Sequence, residues 1–268
     1  MSNAPVDEYF SGCVVNGSLA HSVADVAAFL DAIAGYELGD AYWLDHPETS
    51  FLAFSTQIPT QLRIGFATHI PDIGECDIET KAAVLETAKT LESLGHIVEP
   101  VDFGDFDFGD LIEPFFIAWQ TQTDVGIPGP LLDRINRELW FRAQFYRAGK
   151  YIKARQKLYQ FGRRVVTLFQ PYDVVLLPTL MTPAIKVGEC KRLRLDSLLD
   201  RITKWFAPCP AFNASGQPAI ALPFGISQSG IPLSIQLVGR PADEKTILQL
   251  ATQLEIAQPF TNRSSGYL

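Results

Sequence analysis

The stretch Phe212-Asn213-Ala214-Ser215-Gly216-Gln217-Pro218-Ala219-Ile220-Ala221-Leu222-Pro223-Phe224-Gly225 decides how this chain is read. Asn213 and Gly216 are turn residues, one able to bond backbone through its side chain, the other free to take positive φ. Ala219 to Leu222 then predicts a strand, and Leu233 to Val238 a second, around a turn at Ser229-Gly230-Ile231-Pro232. Asp243 caps a last helix that runs to Ala257.

Working outward, Tyr172-Asp173-Val174-Val175-Leu176-Leu177-Pro178-Thr179 predicts a buried strand that stops at Pro178, and 196–206 a short helix. Residues 110–122 and 131–169 are mostly helical. In the second of these Ala154, Leu158, Phe161, Val165 and Leu168 recur at helical spacing, as a core stripe does. Further upstream, strand Leu62–Ala67, helix Ile78–Leu94 ending at Gly95, and strand His96–Val101 form a βαβ unit. That order predicts parallel pairing through a right-handed crossover. Ser22 caps a helix on which Val23, Val26, Ala27, Leu30 and Ile33 share one face, and Gly35 closes it. Residues 36–60 read as an extended loop. The predicted fold class is α/β, a mixed β-sheet flanked by helices, with 1–268 as a single α/β unit and 1–10 poorly ordered.

Composition sets outer limits. The chain has 268 residues, 47% hydrophobic and 19% charged, too apolar for a disordered chain. Four cysteines, Cys13, Cys76, Cys190 and Cys209, are widely spaced with no CxxC pair, which predicts a reducing, cytoplasmic setting and no zinc site. No apolar run approaches a membrane span, so no membrane partner is expected. The net charge of −8 is unevenly spread: residues 1–130 hold 21 acidic side chains against 3 basic, and 131–170 hold 10 basic against 2 acidic. The basic stretch predicts a long helix with a solvated face against an acidic neighbour. No nucleic-acid motif accompanies it, so no nucleic-acid partner is expected.

Chemical motifs are sparse. Gly225-Ile226-Ser227-Gln228-Ser229-Gly230 misses a nucleophile elbow by one residue and lies between strands. No phosphate-cradling glycine loop exists. Asp102-Phe103-Gly104 and Asp107-Phe108-Gly109 spell the kinase metal-binding tripeptide without its companion motifs. With Asp105 and Asp110 they miss calcium-loop spacing and read as a solvated turn. His21, His46, His69 and His96 show no metal-ligand spacing, and His96 lies past a helix C-terminus where a cation is favoured. No metal and no cofactor are expected.

The segment from Phe212 to Gly225, followed by Gly230-Ile231-Pro232-Leu233-Ser234-Ile235-Gln236-Leu237-Val238-Gly239, closely resembles the C-terminal block of the amidase signature family. Asp173–Thr179 resembles that family's D-[VA]-[LV]-[LIV]-x-P-T strand. Gly17-Ser18-Leu19-Ala20-His21-Ser22-Val23-Ala24-Asp25 resembles its G-P-[LM]-[AT]-R-[ST]-V-x-D block, with Ser18 in place of Pro and His21 in place of Arg. The resemblance runs from about residue 11 to 258 and implies the C-terminal part of that fold.

It also implies amide hydrolysis by a Lys–cis-Ser–Ser triad whose residues lie upstream of the Gly17 block. Residues 1–16 contain no lysine and no Gly/Ser-rich run, and the first lysine is Lys81. Ser264-Ser265-Gly266 stands at the far end and reads as a frayed tail. No catalytic residue carries over. The family relay needs a neutral lysine, a nucleophile and an oxyanion hole together, so the chain alone is expected to be inactive. Thr179, Cys209 and Asn213 are expected to line a substrate pocket. The expected partner is a small-molecule amide; an alternative is a non-catalytic subunit that completes a split amidase with a second chain carrying the catalytic half. An independent hydrolase built on His and Asp residues is the remaining alternative.

Overall fold

The computed structural model describes residues 9–123 and 126–259. Expectations for residues 1–8 and for Ser264-Ser265-Gly266 fall outside them. Tyr9–Gly12 forms a 3-10 turn in which Phe10 and Ser11 both take positive φ, 54° and 55°. Both are buried.

Helix α1, Val23–Ile33, starts where Ser22 accepts the amide of Asp25 and its hydroxyl in turn donates to the Asp25 carboxylate. The segment after it is not wholly extended. Helix α2, Phe51–Phe54, is a single turn capped by Ser50, and the Asp31 carboxylate takes the amides of Phe51 and Leu52. A four-residue helix carries no periodic signal, which is why the sequence reads it as loop.

The next stretch contains strand β1, Arg63–Phe66, the small antiparallel pair β2, His69–Ile70, and β3, Gly74–Glu75, helix α3, Ile78–Ser93, and strand β4, Ile97–Pro100. Strands β1 and β4 pair in parallel, as the βαβ pattern predicts. Helices α4, Ile112–Thr121, α5, Arg134–Ala143, and α6, Ala148–Phe169, lead to strand β5, Val174–Pro178. Helices α7, Leu195–Phe206, and α8, Pro208–Ser215, come before β6, Ala219–Ile226, β7, Pro232–Gly239, and α9, Glu244–Ala257.

Among the described residues five strands form one mixed sheet in the order β4-β1-β5-β7-β6. β5 is parallel to β1, while β7 is antiparallel to both β5 and β6. One face, carrying Ile64, Val174, Leu176, Ile235 and Leu237, is covered by α1, α2, α3 and α9. The other, carrying Val175, Leu177 and Val238, is covered by α6, α8 and the loop before α4. Each fully buried Leu or Ile in these layers contributes roughly 1.5–3 kcal/mol. Of the predicted α6 stripe, Ala154, Leu158, Phe161 and Val165 are buried and Leu168 is half-buried. Gly162 lets α6 approach α8: a Cβ there would lie 2.3 Å from the carbonyl oxygen of Ala214.

His96 differs from its expected role as a helix-end cation. It is buried, its Nδ1 accepts the amide of Leu62 at 3.1 Å, and its Nε2 meets Gln253 Oε1 at 2.8 Å. An Nδ1 that accepts an N–H carries no proton, so Nε2 is the donor and the ring is a neutral linker between two layers.

Candidate functional site

Parallel strands β1, β4 and β5 end on the same edge of the sheet, and their following segments meet there. After β1 comes the β2–β3 hairpin, after β4 the loop 101–111, and after β5 the segment from Thr179 onward. Backbone bonds tie the segments after β1 and β5 to each other and to α7: Asp77 N donates to Met181 O at 2.7 Å, and Met181 N to Trp205 O at 2.8 Å. Open α/β sheets bind ligands at the carboxyl ends of their strands, which makes this edge the candidate site.

One wall is aromatic. Phe106 packs on Phe108 at 4.8 Å and on Phe161 at 5.4 Å, and Phe10 on Phe115 at 4.8 Å. A narrow cleft of about 30 Å³ opens among Ile73, Phe108, Leu111, Phe115, Phe116, Phe206 and Pro210, with Thr203 on its lining. The Thr203 hydroxyl is already bonded to Leu199 O at 2.7 Å. The cleft is therefore apolar in what it offers a ligand.

The acidic loop supplies turns. Asp102 and Asp107 accept the amides of Gly104 and Gly109, as solvated turn residues do. Asp72, at φ 66°, is held above the usual carboxylate range by a hydrogen bond with Asp107, then by burial and the charges of Asp107 and Asp110. Among the described residues no group of three or more His, Cys, Asp or Glu is placed to hold a metal ion.

Of the three expected pocket residues, the structure joins two. Cys209 Sγ donates to Thr179 O at 3.3 Å, which places both at the carboxyl end of β5. Asn213 lies a turn further along α8, where its Nδ2 donates to Cys13 O at 2.7 Å. It thus bonds backbone, as its turn-residue chemistry allows, but 200 positions away. Ser11 Oγ, 2.9 Å from Tyr151 Oη, ties the same N-terminal turn to α6. Gly216 closes α8 at φ 69°, the positive φ its position in the sequence predicts.

Nucleophile chemistry is weak here. Burial pushes the thiols of Cys13, Cys76 and Cys209 up to about 11, so they are thiols at neutral pH. Lys81 is bonded to Glu75 at 2.9 Å, which holds it above its ordinary value and fully charged. His46 is engaged by Ala34 O and His96 by Leu62 and Gln253. Among the described residues no serine or cysteine is hydrogen-bonded to a lysine or histidine side chain.

Two residues at this corner were not singled out from the sequence. Gln236, on β7 opposite Leu177, and Trp205, whose carbonyl holds Met181, each bury a side-chain N–H without a partner, as Thr179 buries its hydroxyl. A buried orphan is a tertiary property, and nothing in the local pattern marks it.

Comparison with known proteins places this geometry. The family model for amidases matches residues 1–248. A Synechocystis sp. protein with a provisional amidase name is 37% identical over 256 residues, which are 95% of this chain and 49% of that protein. The 6-aminohexanoate-cyclic-dimer hydrolase of a Pseudomonas sp. is 30% identical, over 94% of this chain and 55% of its own length. A solved structure of 6-aminohexanoate cyclic dimer hydrolase superposes with a TM-score of 0.87 at 26% identity, covering 97% of this chain and 58% of that one. The chain thus spans about half the length of the relatives it matches.

Proposed function

This chain belongs to the amidase family, and on that premise we propose that it is the pocket-building part of an amide hydrolase. It binds a small-molecule amide, and the lysine and the two serines of the family relay lie outside residues 1–268. The residues 1–268 act as one α/β unit, with Thr179, Cys209 and Asn213 at or beside the pocket. The observation that carries this is the carboxyl edge of the sheet: an apolar cleft and buried polar groups, with no serine or cysteine there bonded to a base among the described residues. Such an edge orients a substrate but supplies no activated nucleophile. Burial of Cys209 and the Lys81–Glu75 pair support the same division of labour.

A completing polypeptide is supported by surface as well. Among the described residues strand β6 is last in the sheet order, its burial alternates, and its Ala219 and Ala221 side chains are exposed. Leu19, Leu38, Tyr42, Trp43 and Leu44 add exposed apolar area.

The test is amine and ammonia release from aliphatic and aryl amides. The purified chain alone is expected to show none. Turnover is expected when it is co-expressed with a chain carrying the Gly/Ser-rich signature and the upstream lysine. Robust turnover by the chain alone, abolished by substituting one of its own residues, overturns the proposal.

A further inference from the structure

Helix α6 carries two apolar stripes. The first, Ala154, Leu158, Phe161 and Val165, packs into the core. The second is Ile152, Tyr159 and Val166, one residue in every seven, a spacing that sets them in one line along a helix. This line is not covered: Ile152 is 53% exposed, Tyr159 is 45% exposed and Val166 is half-buried. Arg155 holds the tyrosine in place, its Nε and Nη2 donating to Tyr159 Oη at 3.2 and 3.0 Å. Beside the stripe α8 comes to its end. Gly162 admits the backbone of Ala214, and the two helices leave a groove of about 580 Å³ whose lining includes Tyr159, Arg163, Val166, Ala214 and Ser215. Lys157 and Arg164, on the other side of α6, pair with Glu113 and Asp110, whereas the exposed Arg163 has no acidic partner among the described residues. A line of apolar side chains at helical spacing, flanked by an unpaired cation, is a surface on which an amphipathic helix packs.

Charge and fold together select the occupant. Helix α6 holds six Lys and Arg side chains and no Asp or Glu, so a second copy packed through the same face would set cation against cation. The solved cyclic dimer hydrolase has a part of its fold, beyond the 58% that superposes, with no counterpart in residues 1–268. In the amidase family the catalytic signature precedes the block that begins here at Gly17. The turn just before that block is tied to these same two helices, Ser11 to Tyr151 on α6 and Cys13 to Asn213 on α8. We propose that the groove between α6 and the end of α8 is the docking face for an amphipathic helix of a polypeptide carrying the upstream, signature-bearing half of an amidase fold. That helix sets an apolar stripe on Ile152, Tyr159 and Val166 and a carboxylate against Arg163. The proposal rests on the amidase reading and adds to it the face on which the two halves meet.

Co-expression tests it without any need for turnover. The full 268-residue chain is produced with the part of the Synechocystis sp. relative that it does not match, as a separate polypeptide. A one-to-one complex is expected on size exclusion with light scattering, and its dissociation constant is then measured by titration. The paired substitution Ile152→Glu with Tyr159→Glu is expected to weaken the complex by about tenfold or more. Arg163→Glu is expected to weaken it by about tenfold and to flatten its salt dependence, while Arg163→Lys keeps most of the affinity. All three side chains are exposed, so the melting temperature of each variant chain on its own is expected to stay at the wild-type value. Undiminished affinity in the Ile152 and Tyr159 pair overturns the groove as the docking face and leaves the amidase reading standing. Absence of any complex with the wild-type chain overturns it too. A lowered melting temperature in the isolated paired variant also overturns it, because it assigns those side chains to the chain's own fold. A complex that depends on the groove as described but releases no amine or ammonia from amides supports the docking face and counts against the hydrolase reading alone.

Discussion

At the scale of single residues, the site depends on a few long-range bonds. Asn213 is exposed, yet its Nδ2 holds Cys13 O across the sheet face and pins a turn whose Phe10 and Ser11 sit at positive φ. Strained backbone persists only where its surroundings enforce it, so this bond carries part of that enforcement. Asn213→Ala is expected to cost about 0.5–1.5 kcal/mol in urea unfolding. It is also expected to speed amide exchange from Tyr9 to Cys13, and unaltered exchange there would refute the role. The sequence marks Asn213 as a residue that bonds backbone, but its partner is invisible there because the two lie 200 positions apart. His96 teaches the same lesson: its position suggests a helix-end cation, and its bonds to Leu62 and Gln253 make it a linker between two layers.

At the scale of elements, the long periodic ones were legible and the short ones were not. Helices α1, α3, α6 and α9, and strands β1, β4, β5, β6 and β7, all fall where periodicity and caps place them. Helix α8 carries no sequence expectation; it is short, and Pro208 and Pro210 fall in its first turn, where proline is tolerated. Helix α2 and the β2–β3 pair are too short to carry a period. Capping also gives one element a pH dependence. Asp133 caps α5, and hydrogen bonds from the Asn136 amide and side chain hold its carboxyl below the ordinary value of 3.8. A lowered folded pKa contributes stability that is present above the ordinary value and lost as pH falls through the folded one. Asp133→Ala is therefore expected to lower the urea midpoint near pH 7 and to lose most of that difference near about pH 2. An equal difference at both pH values would show that the carboxylate charge is not the cause.

At the scale of the whole molecule, the uneven charge becomes a packing device. Arg164 pairs with Asp110 at 2.6 Å and Lys157 with Glu113 at 3.5 Å, so basic α6 lies against the acidic segment around α4. Such exposed pairs contribute little stability individually, but they fix which helix faces which. No helix among the described residues is long and apolar enough to cross a membrane. The exposed Ala219 and Ala221 of β6 and the exposed apolar loop around Tyr42 and Trp43 have a measurable consequence. The chain alone is expected to bind a hydrophobic dye and to self-associate with concentration. A completing polypeptide is expected to suppress both, and Ala221→Glu on the exposed face of β6 to weaken that suppression. A dye-silent monomer, indifferent to the second chain, would count against a completing partner.

The sequence by itself determined the α/β class, the parallel βαβ unit, the core stripes and the family, because these rest on local periodicity and on Gly, Pro, Asn and Gln at fixed offsets. Only the tertiary structure decided that Thr179 and Cys209 meet while Asn213 reaches elsewhere, and that Thr179, Trp205 and Gln236 each bury a polar atom without a partner among the described residues. Burial and hydrogen-bond satisfaction are properties of neighbours brought together by folding. No pattern along the chain encodes which buried N–H is left without an oxygen.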